Sequence, residues 1–200
     1  GESHRLQRWQ ETGCWFMFGE YAVFSRIGGR GAPLLLIHGF PTASWDWHRL
    51  WPALSEHYRL LAPDMLGFGF SDKPQDHPYS LIEQADLIQG WLEQMGEERV
   101  HVLAHDYGAT VAQELLARNL EGSLGFRIES VALMNAALFP EVHQPILIQK
   151  LLLGPLGGLV SRALTRPVFE SSLARIFGAA TQPTARDIED FWQLLIHNNG

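Results

Sequence analysis

Four short, largely apolar segments recur along the chain, and they constrain the fold more than any other feature. They occupy residues 33–38, 58–62, 99–104 and 128–136. Residues 33–38 form a nearly continuous apolar run, and short runs of this kind are typical of strands buried on both faces of a parallel sheet. Segments with helical spacing separate the runs, at residues 45–55, 81–95 and 109–119. This alternation predicts an α/β fold in which helices cover both faces of a mostly parallel sheet.

The sequence also marks where individual elements begin and end. Ser80 and Glu83 have the spacing of a capping box, which predicts the start of a helix. Gly96 follows the last apolar position of that helix and predicts its C-terminal end. Upstream, residues 15–25 predict one or two strands and a turn before the glycine-rich run 28–31.

The pattern changes after Leu138, where helical pieces separated by glycine and proline replace the strand–helix alternation. We predict a domain boundary there. Residues 1–137 would form the sheet-containing core, and residues 138–200 a separate helical segment. The tryptophans of residues 45–51 are predicted to pack in the core, because large aromatic side chains contribute most when they are buried.

Composition and charge exclude several classes of protein. The chain has 15 Lys and Arg against 22 Asp and Glu, a net charge of −7, whereas nucleic-acid binding needs clustered cations. A hydrophobic content of 46% excludes a disordered chain. Cys14 is the only cysteine, so neither an internal disulfide nor a cysteine zinc site is available, and we predict no metal and no cofactor. We expect a cytoplasmic protein, since no apolar stretch reaches the about 18 residues of a membrane span.

Asp106 is the candidate for chemistry. It lies where a buried strand turns into a helix, with Ala104 two positions before it and Gly108 two positions after. Small residues suit such a turn, because the two backbones approach closely in a nucleophile elbow. An aspartate there is ionised at neutral pH without a base, and a helix N-terminus favours its charge. Asp106 is therefore predicted to attack carbon and form an alkyl–aspartyl ester. On this motif alone, an ordinary turn or helix cap is the alternative.

A second motif, residues 38–41 (His-Gly-Phe-Pro), follows the first apolar run. Loops at the C-terminal ends of parallel strands are where such sheets bind ligands. The backbone N–H groups of Phe40 and Tyr107 are predicted to converge on one oxygen and form an oxyanion hole. The alternative is a tight turn with a packed aromatic side chain.

Further residues around these motifs are candidates for binding or for structure. Residues predicted to contact a substrate are His38, Phe40, Tyr107 and His143. As bases, His38 and His105 are disfavoured, because strand-end histidines are usually held by backbone hydrogen bonds. The glycine-rich run 63–74 is interpreted as a structural loop at the same sheet edge.

Taken together, residues 38–41, 63–74 and 105–108 resemble the α/β-hydrolase fold family, in the branch of epoxide hydrolases and haloalkane dehalogenases that uses an aspartate nucleophile. Residues 135–145 resemble one subgroup of that branch. The resemblance implies that Asp106 is the nucleophile, that Phe40 and Tyr107 are the oxyanion donors, and that a helical cap domain begins after Leu138.

The chain departs from this family in three respects. Haloalkane dehalogenases usually place Trp after the nucleophile and Asn or Trp after His-Gly, whereas Tyr107 and Phe40 stand there. Epoxide hydrolases commonly use cap tyrosines as proton donors, but residues 138–200 contain none. We expect the donor to be a tyrosine beyond Gly200 or another residue such as His143. The family's acid and catalytic histidine follow the cap. We therefore expect this chain alone to be alkylated at most once and not to turn over.

The sequence thus favours a hydrolase that opens a small or medium apolar epoxide through an ester on Asp106. A haloalkane dehalogenase-like hydrolase is one alternative, and a non-catalytic protein that binds an apolar ligand is another. A serine esterase or lyase on the same fold is disfavoured, because no serine occupies the elbow. Ser44, Ser71 and Ser80 all lie at cap or turn positions.

Overall fold

The computed structural model describes residues 4–134, which contain a six-stranded sheet in the order β1-β2-β4-β3-β5-β6. The strands are β1 (Cys14–Phe18), β2 (Tyr21–Gly29), β3 (Ala32–Ile37), β4 (Tyr58–Pro63), β5 (Arg99–His105) and β6 (Arg127–Met134). Strands β3 to β6 pair in parallel, whereas β1 and β2 form an antiparallel hairpin that continues the sheet beside β4. The four strands predicted from the apolar runs and the mostly parallel sheet are confirmed.

The helical elements agree with the sequence except in two places. They are α1 (His4–Glu11), a 3₁₀ turn (Ser44–Trp47), α2 (Trp51–Ser55), α3 (Leu81–Gln94) and α4 (Tyr107–Glu121). The predicted helix over residues 45–55 is divided in two, because Pro52 has no N–H to continue the helical ladder across the junction. Helix α1 was not predicted, since only Leu6 and Trp9 of its eight residues are buried.

Two hydrophobic clusters lie on opposite faces of the sheet, because neighbouring residues of a strand point in opposite directions. Leu35 and Ile37 of β3 pack with α3 and α4. Leu34 and Leu36 pack with Trp9 and the tryptophans of residues 45–51. Helices therefore cover both faces, and the predicted burial of these tryptophans is confirmed.

The predicted boundaries of α3 are confirmed, with one difference at its start. Ser80 Oγ accepts a hydrogen bond from Glu83 N at 3.1 Å, as in a capping box. The Glu83 carboxylate, however, lies 2.8 Å from His77 Nε2. At the other end, Gly96 has φ +75°, the left-handed conformation that glycine adopts without strain.

Among residues 4–134, no helix is long and apolar enough to cross a membrane. The predicted helical segment, residues 138–200, lies outside the described residues, and so does the proposed boundary at residue 138.

Candidate active site

Asp106 forms a sharp corner between β5, which ends at His105, and α4, which begins at Tyr107. Its backbone has φ +52° and ψ −124°, a combination that residues other than glycine rarely adopt. Such a conformation costs about 1–3 kcal/mol and persists only where the surrounding structure enforces it. Gly108 makes the corner possible, because a Cβ there would lie 2.4 Å from the Ile37 carbonyl oxygen.

The strand-exit loop, residues 38–42, lies directly against this corner. A Cβ on Gly39 would be 2.9 Å from Asp106 Cβ and 3.1 Å from Asp106 Oδ2, so only glycine leaves room for the carboxylate. The backbone N–H of Phe40 donates a hydrogen bond to Asp106 Oδ2 at 3.0 Å. The structure therefore brings together the residues predicted as nucleophile and as first oxyanion donor.

Tyr107, predicted as the second donor, follows Asp106 as the first residue of α4. The N–H groups of a helix's first turn have no acceptor within the helix, so this amide is available to an oxygen at the corner. The Tyr107 side chain is buried, and its hydroxyl has no hydrogen-bond partner among the described residues. Burial, with a smaller contribution from the charge of Glu83, raises the pKa of Tyr107 to about 12. The phenol is therefore neutral at physiological pH.

Aromatic side chains surround this part of the corner. The Phe68 ring packs between two others, with its centroid 5.8 Å from that of Phe40 and 6.3 Å from that of Tyr107. Phe68 belongs to the glycine-rich run 63–74, which the sequence indicated as structural. Its ring was missed as a neighbour of the site, because nothing in the sequence of the run indicates which of its aromatic side chains packs beside Phe40 and Tyr107.

The glycine-rich run is held by Asp64, whose side chain is fully buried. Asp64 Oδ1 accepts from Ser44 N at 2.7 Å, and Oδ2 accepts from Phe70 N at 2.8 Å. Ser71 Oγ donates to the Asp64 carbonyl oxygen at 2.6 Å and accepts from Phe24 N at 2.9 Å. These bonds give Asp64 and Ser71 the structural role predicted for the run, whereas Phe68 of the same run lies beside the site.

His38, predicted to contact a substrate, is placed elsewhere. Its side chain is fully buried, and Nε2 accepts a hydrogen bond from Met65 N at 2.9 Å. Nδ1 therefore carries the proton and donates to the Gly39 carbonyl oxygen at 2.7 Å. Burial lowers the pKa of His38, so the ring is neutral. The prediction is corrected: both ring nitrogens bind backbone, and His38 ties the strand-exit loop to the glycine-rich run.

His105 differs from its prediction in another way. Its Nε2 lies 2.8 Å from Asp46 Oδ2, so a carboxylate holds the ring rather than the backbone bonds we expected. Burial lowers the pKa of His105, but the hydrogen bond to Asp46 and the charges of Asp46 and Asp106 together raise it more, and the net pKa lies above its ordinary value. Asp46 was missed, because no local pattern links it to a histidine 59 positions away.

Asp106 itself is partly exposed. Within residues 4–134 no Lys or Arg forms an ion pair with it, which leaves the carboxylate available for reaction. The same part of the chain contains no group of three or more side chains arranged to hold a metal ion. His143, the remaining predicted substrate contact, lies outside the described residues.

Two known proteins match nearly the whole length of the chain, and two others match about half of it. The mesoderm-specific transcript protein of Mus musculus is 41% identical over 210 residues, covering 99% of this chain and 62% of that protein. The putative hydrolase LipZ of Mycobacterium tuberculosis is 38% identical over 199 residues, covering 99% and 69%. A soluble epoxide hydrolase of Corynebacterium is 33% identical over 96 residues, covering 48% and 33%, and a haloalkane dehalogenase of Agrobacterium fabrum is 34% identical over 110 residues, covering 55% and 34%.

The solved structure of the epoxide hydrolase CorEH has a TM-score of 0.73 at 20% identity, covering 94% of this chain and 69% of that one, which shows a shared fold. The mouse protein belongs to the subgroup that residues 135–145 resemble, and the chain spans 62% of its length. The family model described as alpha/beta hydrolase fold matches residues 32–188. With the elbow and the sheet order, these matches confirm the predicted resemblance, and the chain belongs to the α/β-hydrolase fold family.

Proposed function

We propose that the protein is a hydrolase that opens an apolar epoxide through a covalent alkyl ester on Asp106. One observation carries this proposal: a carboxylate at a strained elbow, with one oxygen 3.0 Å from the Phe40 amide and no described Lys or Arg paired to it. A serine at this position would need a base before it could attack, whereas a carboxylate does not.

The Phe40 hydrogen bond gives the two carboxylate oxygens different roles. Because Oδ2 is held by Phe40 N, Oδ1 is the oxygen free to attack a ring carbon of the epoxide. The ring C–O bond breaks, its electron pair stays on the ring oxygen, and a donor supplies a proton there. Oδ2 then becomes the carbonyl oxygen of the Asp106 ester.

Hydrolysis uses the same hydrogen bond. Water adds to Cγ of the ester and loses a proton to a base, and the carbonyl electron pair moves onto Oδ2. Phe40 N already lies on that oxygen, and the Tyr107 amide is the second donor of the proposed oxyanion hole. Collapse breaks the Cγ–Oδ1 bond, and Oδ1 leaves in the diol after taking up the proton that remained on the added water oxygen. The restored carboxylate consists of Oδ2 and one oxygen from water. We assign the base and the proton donor to residues outside 4–134, with His143 as the donor candidate.

The surroundings support an epoxide over an alkyl halide. Phe40, Phe68 and Tyr107 provide an aromatic environment for an apolar substrate. A departing halide needs side-chain N–H donors, and Phe40 has none. An epoxide oxygen stays attached to the product and needs only a proton.

A second candidate function is binding of an apolar ligand without catalysis. The absence of tyrosine from residues 138–200 favours it, because the family's usual epoxide proton donors are then missing from this segment. Both candidates use the same residues around Asp106, so a test must detect the covalent step directly.

Single-turnover labelling distinguishes these functions. Full-length protein, in excess over styrene oxide as the probe, is reacted in water enriched in ¹⁸O, and the peptide containing Asp106 is weighed by mass spectrometry. We expect a gain of one heavy oxygen in that peptide. Asp76→Asn is a matched control, because Asp76 also has a positive φ, +55°, but is exposed and distant in sequence, and its labelling should equal that of wild type. Diol formation without label at Asp106 would refute the covalent mechanism, and saturable binding without diol would favour the binding protein.

A further inference from the structure

A carboxylate–histidine pair lies behind the proposed nucleophile, and the mechanism above does not use it. Asp46 belongs to the 3₁₀ turn, and His105 is the last residue of β5, directly before Asp106. Asp46 Oδ2 and His105 Nε2 are 2.8 Å apart, and their side chains are 7% and 27% exposed. A largely buried carboxylate at this distance is a strong partner for a charged imidazole.

This pair connects the two halves of the site. Thr42 Oγ1 donates to the same Asp46 oxygen at 2.5 Å, and Thr42 N donates to the Gly39 carbonyl oxygen at 3.4 Å. On the other side, the His105 ring stands so close to Gly39 that a Cβ there would be 3.0 Å from His105 Cε1. The strand-exit loop and the elbow, which carry the two ends of the Phe40–Asp106 hydrogen bond, are thus joined through Asp46 and His105.

The titratable groups facing His105 come from three elements. Asp46 approaches from the 3₁₀ turn and Asp106 from the elbow, and both are negative. His38, at the end of β3, is neutral because burial lowers its pKa, to which the nearby His105 contributes. The ring of Trp47 packs edge-on at 5.2 Å and carries no charge. Two carboxylates therefore favour the imidazolium form of His105, which directly precedes Asp106 in the chain.

We propose that Asp46 holds His105 as an imidazolium whose charge and position serve the second half of the reaction, the hydrolysis of the Asp106 ester. This inference rests on the proposed function and extends it. In the ester, Asp106 is neutral, and attack by water places a new negative charge on Oδ2, which a fixed neighbouring cation stabilises. In the first half, negative charge leaves Asp106 for the epoxide oxygen, so the same cation gives no assistance. His105 is a positioning residue that acts through Asp106 and does not contact the substrate.

The two half-reactions therefore respond differently to loss of the pair. In Asp46→Asn, the imidazole loses its charged acceptor, and hydrolysis of the ester is expected to slow about tenfold, the effect of about 1.4 kcal/mol. Ester formation is not expected to slow, because that step removes negative charge from Asp106 and the cation stabilises only its starting state. A general loosening of the fold would slow both steps, so accumulation of the ester is the specific signature.

The experiment follows both steps in full-length protein by rapid quench with styrene oxide. Intact-mass spectrometry measures the fraction of alkylated protein over time in wild type, Asp46→Asn, His105→Gln and Asp86→Asn. His105→Gln keeps a donor for Asp46 without a titrating charge, and should accumulate the ester at every pH. Asp86→Asn is the matched control, because Asp86 pairs with Arg118 on a different part of the surface, and it should behave as wild type.

A wild-type measurement keeps the inference testable if a variant fails to fold. The rate of ester hydrolysis in wild type should fall as pH rises through the pKa of His105, measured on the same protein by imidazole ¹⁵N NMR. The inference would be overturned if both steps slowed equally in the variants, or if the rate of ester hydrolysis did not change across the pKa of His105. Either result would leave the proposed function intact. Absence of any Asp106 ester in wild type would overturn the proposed function itself, and the inference with it.

Discussion

Replacing Gly108 by alanine is expected to destabilise the protein, although alanine is the better helix former. Gly108 is the second residue of α4, and it faces the backbone at the end of β3. A Cβ at this position would lie 2.4 Å from the Ile37 carbonyl oxygen and 2.5 Å from that of His38. Backbone oxygens cannot rotate away as a flexible side chain can, so the elements themselves must move apart.

The size of the effect follows from these distances. Real Cβ atoms essentially never approach another atom within 3.0 Å, so α4 and β3 must separate by at least 3.0 − 2.4 = 0.6 Å. Overpacking of this kind costs about 1–3 kcal/mol. The helix propensity of alanine returns at most about 1 kcal/mol. We therefore expect the free energy of unfolding to fall by about 2 kcal/mol, since both opposing atoms are backbone.

Urea unfolding followed by far-ultraviolet circular dichroism measures this change. Gly90→Ala is the matched control, because Gly90 lies inside α3 and nothing is within 4 Å of a Cβ placed there. That variant should gain up to about 1 kcal/mol from helix propensity alone. If Gly108→Ala proved as stable as wild type, the close approach of α4 to β3 would be wrong, and so would the placement of Asp106 against the Phe40 amide.

Three other expectations test separate parts of the structure. Ser80→Ala removes the side-chain cap of α3 and should lower the free energy of unfolding by about 1 kcal/mol, measured by urea unfolding. Imidazole NMR titration should give His38 a pKa below 6.5 and His105 a pKa above 6.5, and the reverse order would contradict the Asp46 pairing. Because the pKa of His105 is raised in the folded protein, the stability it contributes is complete at low pH and is lost as pH rises through its folded pKa. Burial lowers the pKa of Lys73 to about 8, and ¹³C NMR of the reductively methylated protein should show it titrating there rather than near 10.5.

Much of the fold is predictable because its signals are local. The apolar runs at β3 to β6 and the helical spacing of α3 and α4 each lie within one segment of sequence. Helix α1 is different, because it is stabilised by what it packs on: Trp9 makes edge contacts with Trp45 and Trp51 and donates to Ser44 Oγ at 3.1 Å. Those partners are more than 30 residues away, and the sequence of residues 4–11 contains no signal that predicts them.

The candidate site divides in the same way. Asp106 and Phe40 are identifiable because turn geometry demands small residues beside them, and Gly39 and Gly108 satisfy that demand in the sequence itself. Asp46 and Phe68 carry no such mark, and they reach the site only because loops after different strands converge at one sheet edge. His38 was wrongly predicted to contact a substrate, because it stands next to the loop that carries Phe40 in the sequence. Both of its ring nitrogens are instead hydrogen-bonded to the backbone.

The oxygen held by the strand-exit loop distinguishes this site from a serine-based one on the same fold. In a serine hydrolase the oxyanion-hole amides bind an oxygen atom that belongs to the substrate. On the proposed mechanism, the oxygen that becomes charged already belongs to Asp106 and already accepts the Phe40 hydrogen bond before any substrate arrives. Donors fixed in advance of the charge need no reorganisation when it develops. The same contact that orients the nucleophile in the first step therefore stabilises the intermediate of the second, and a substitution that displaces Phe40 N would impair both, unlike one at Asp46.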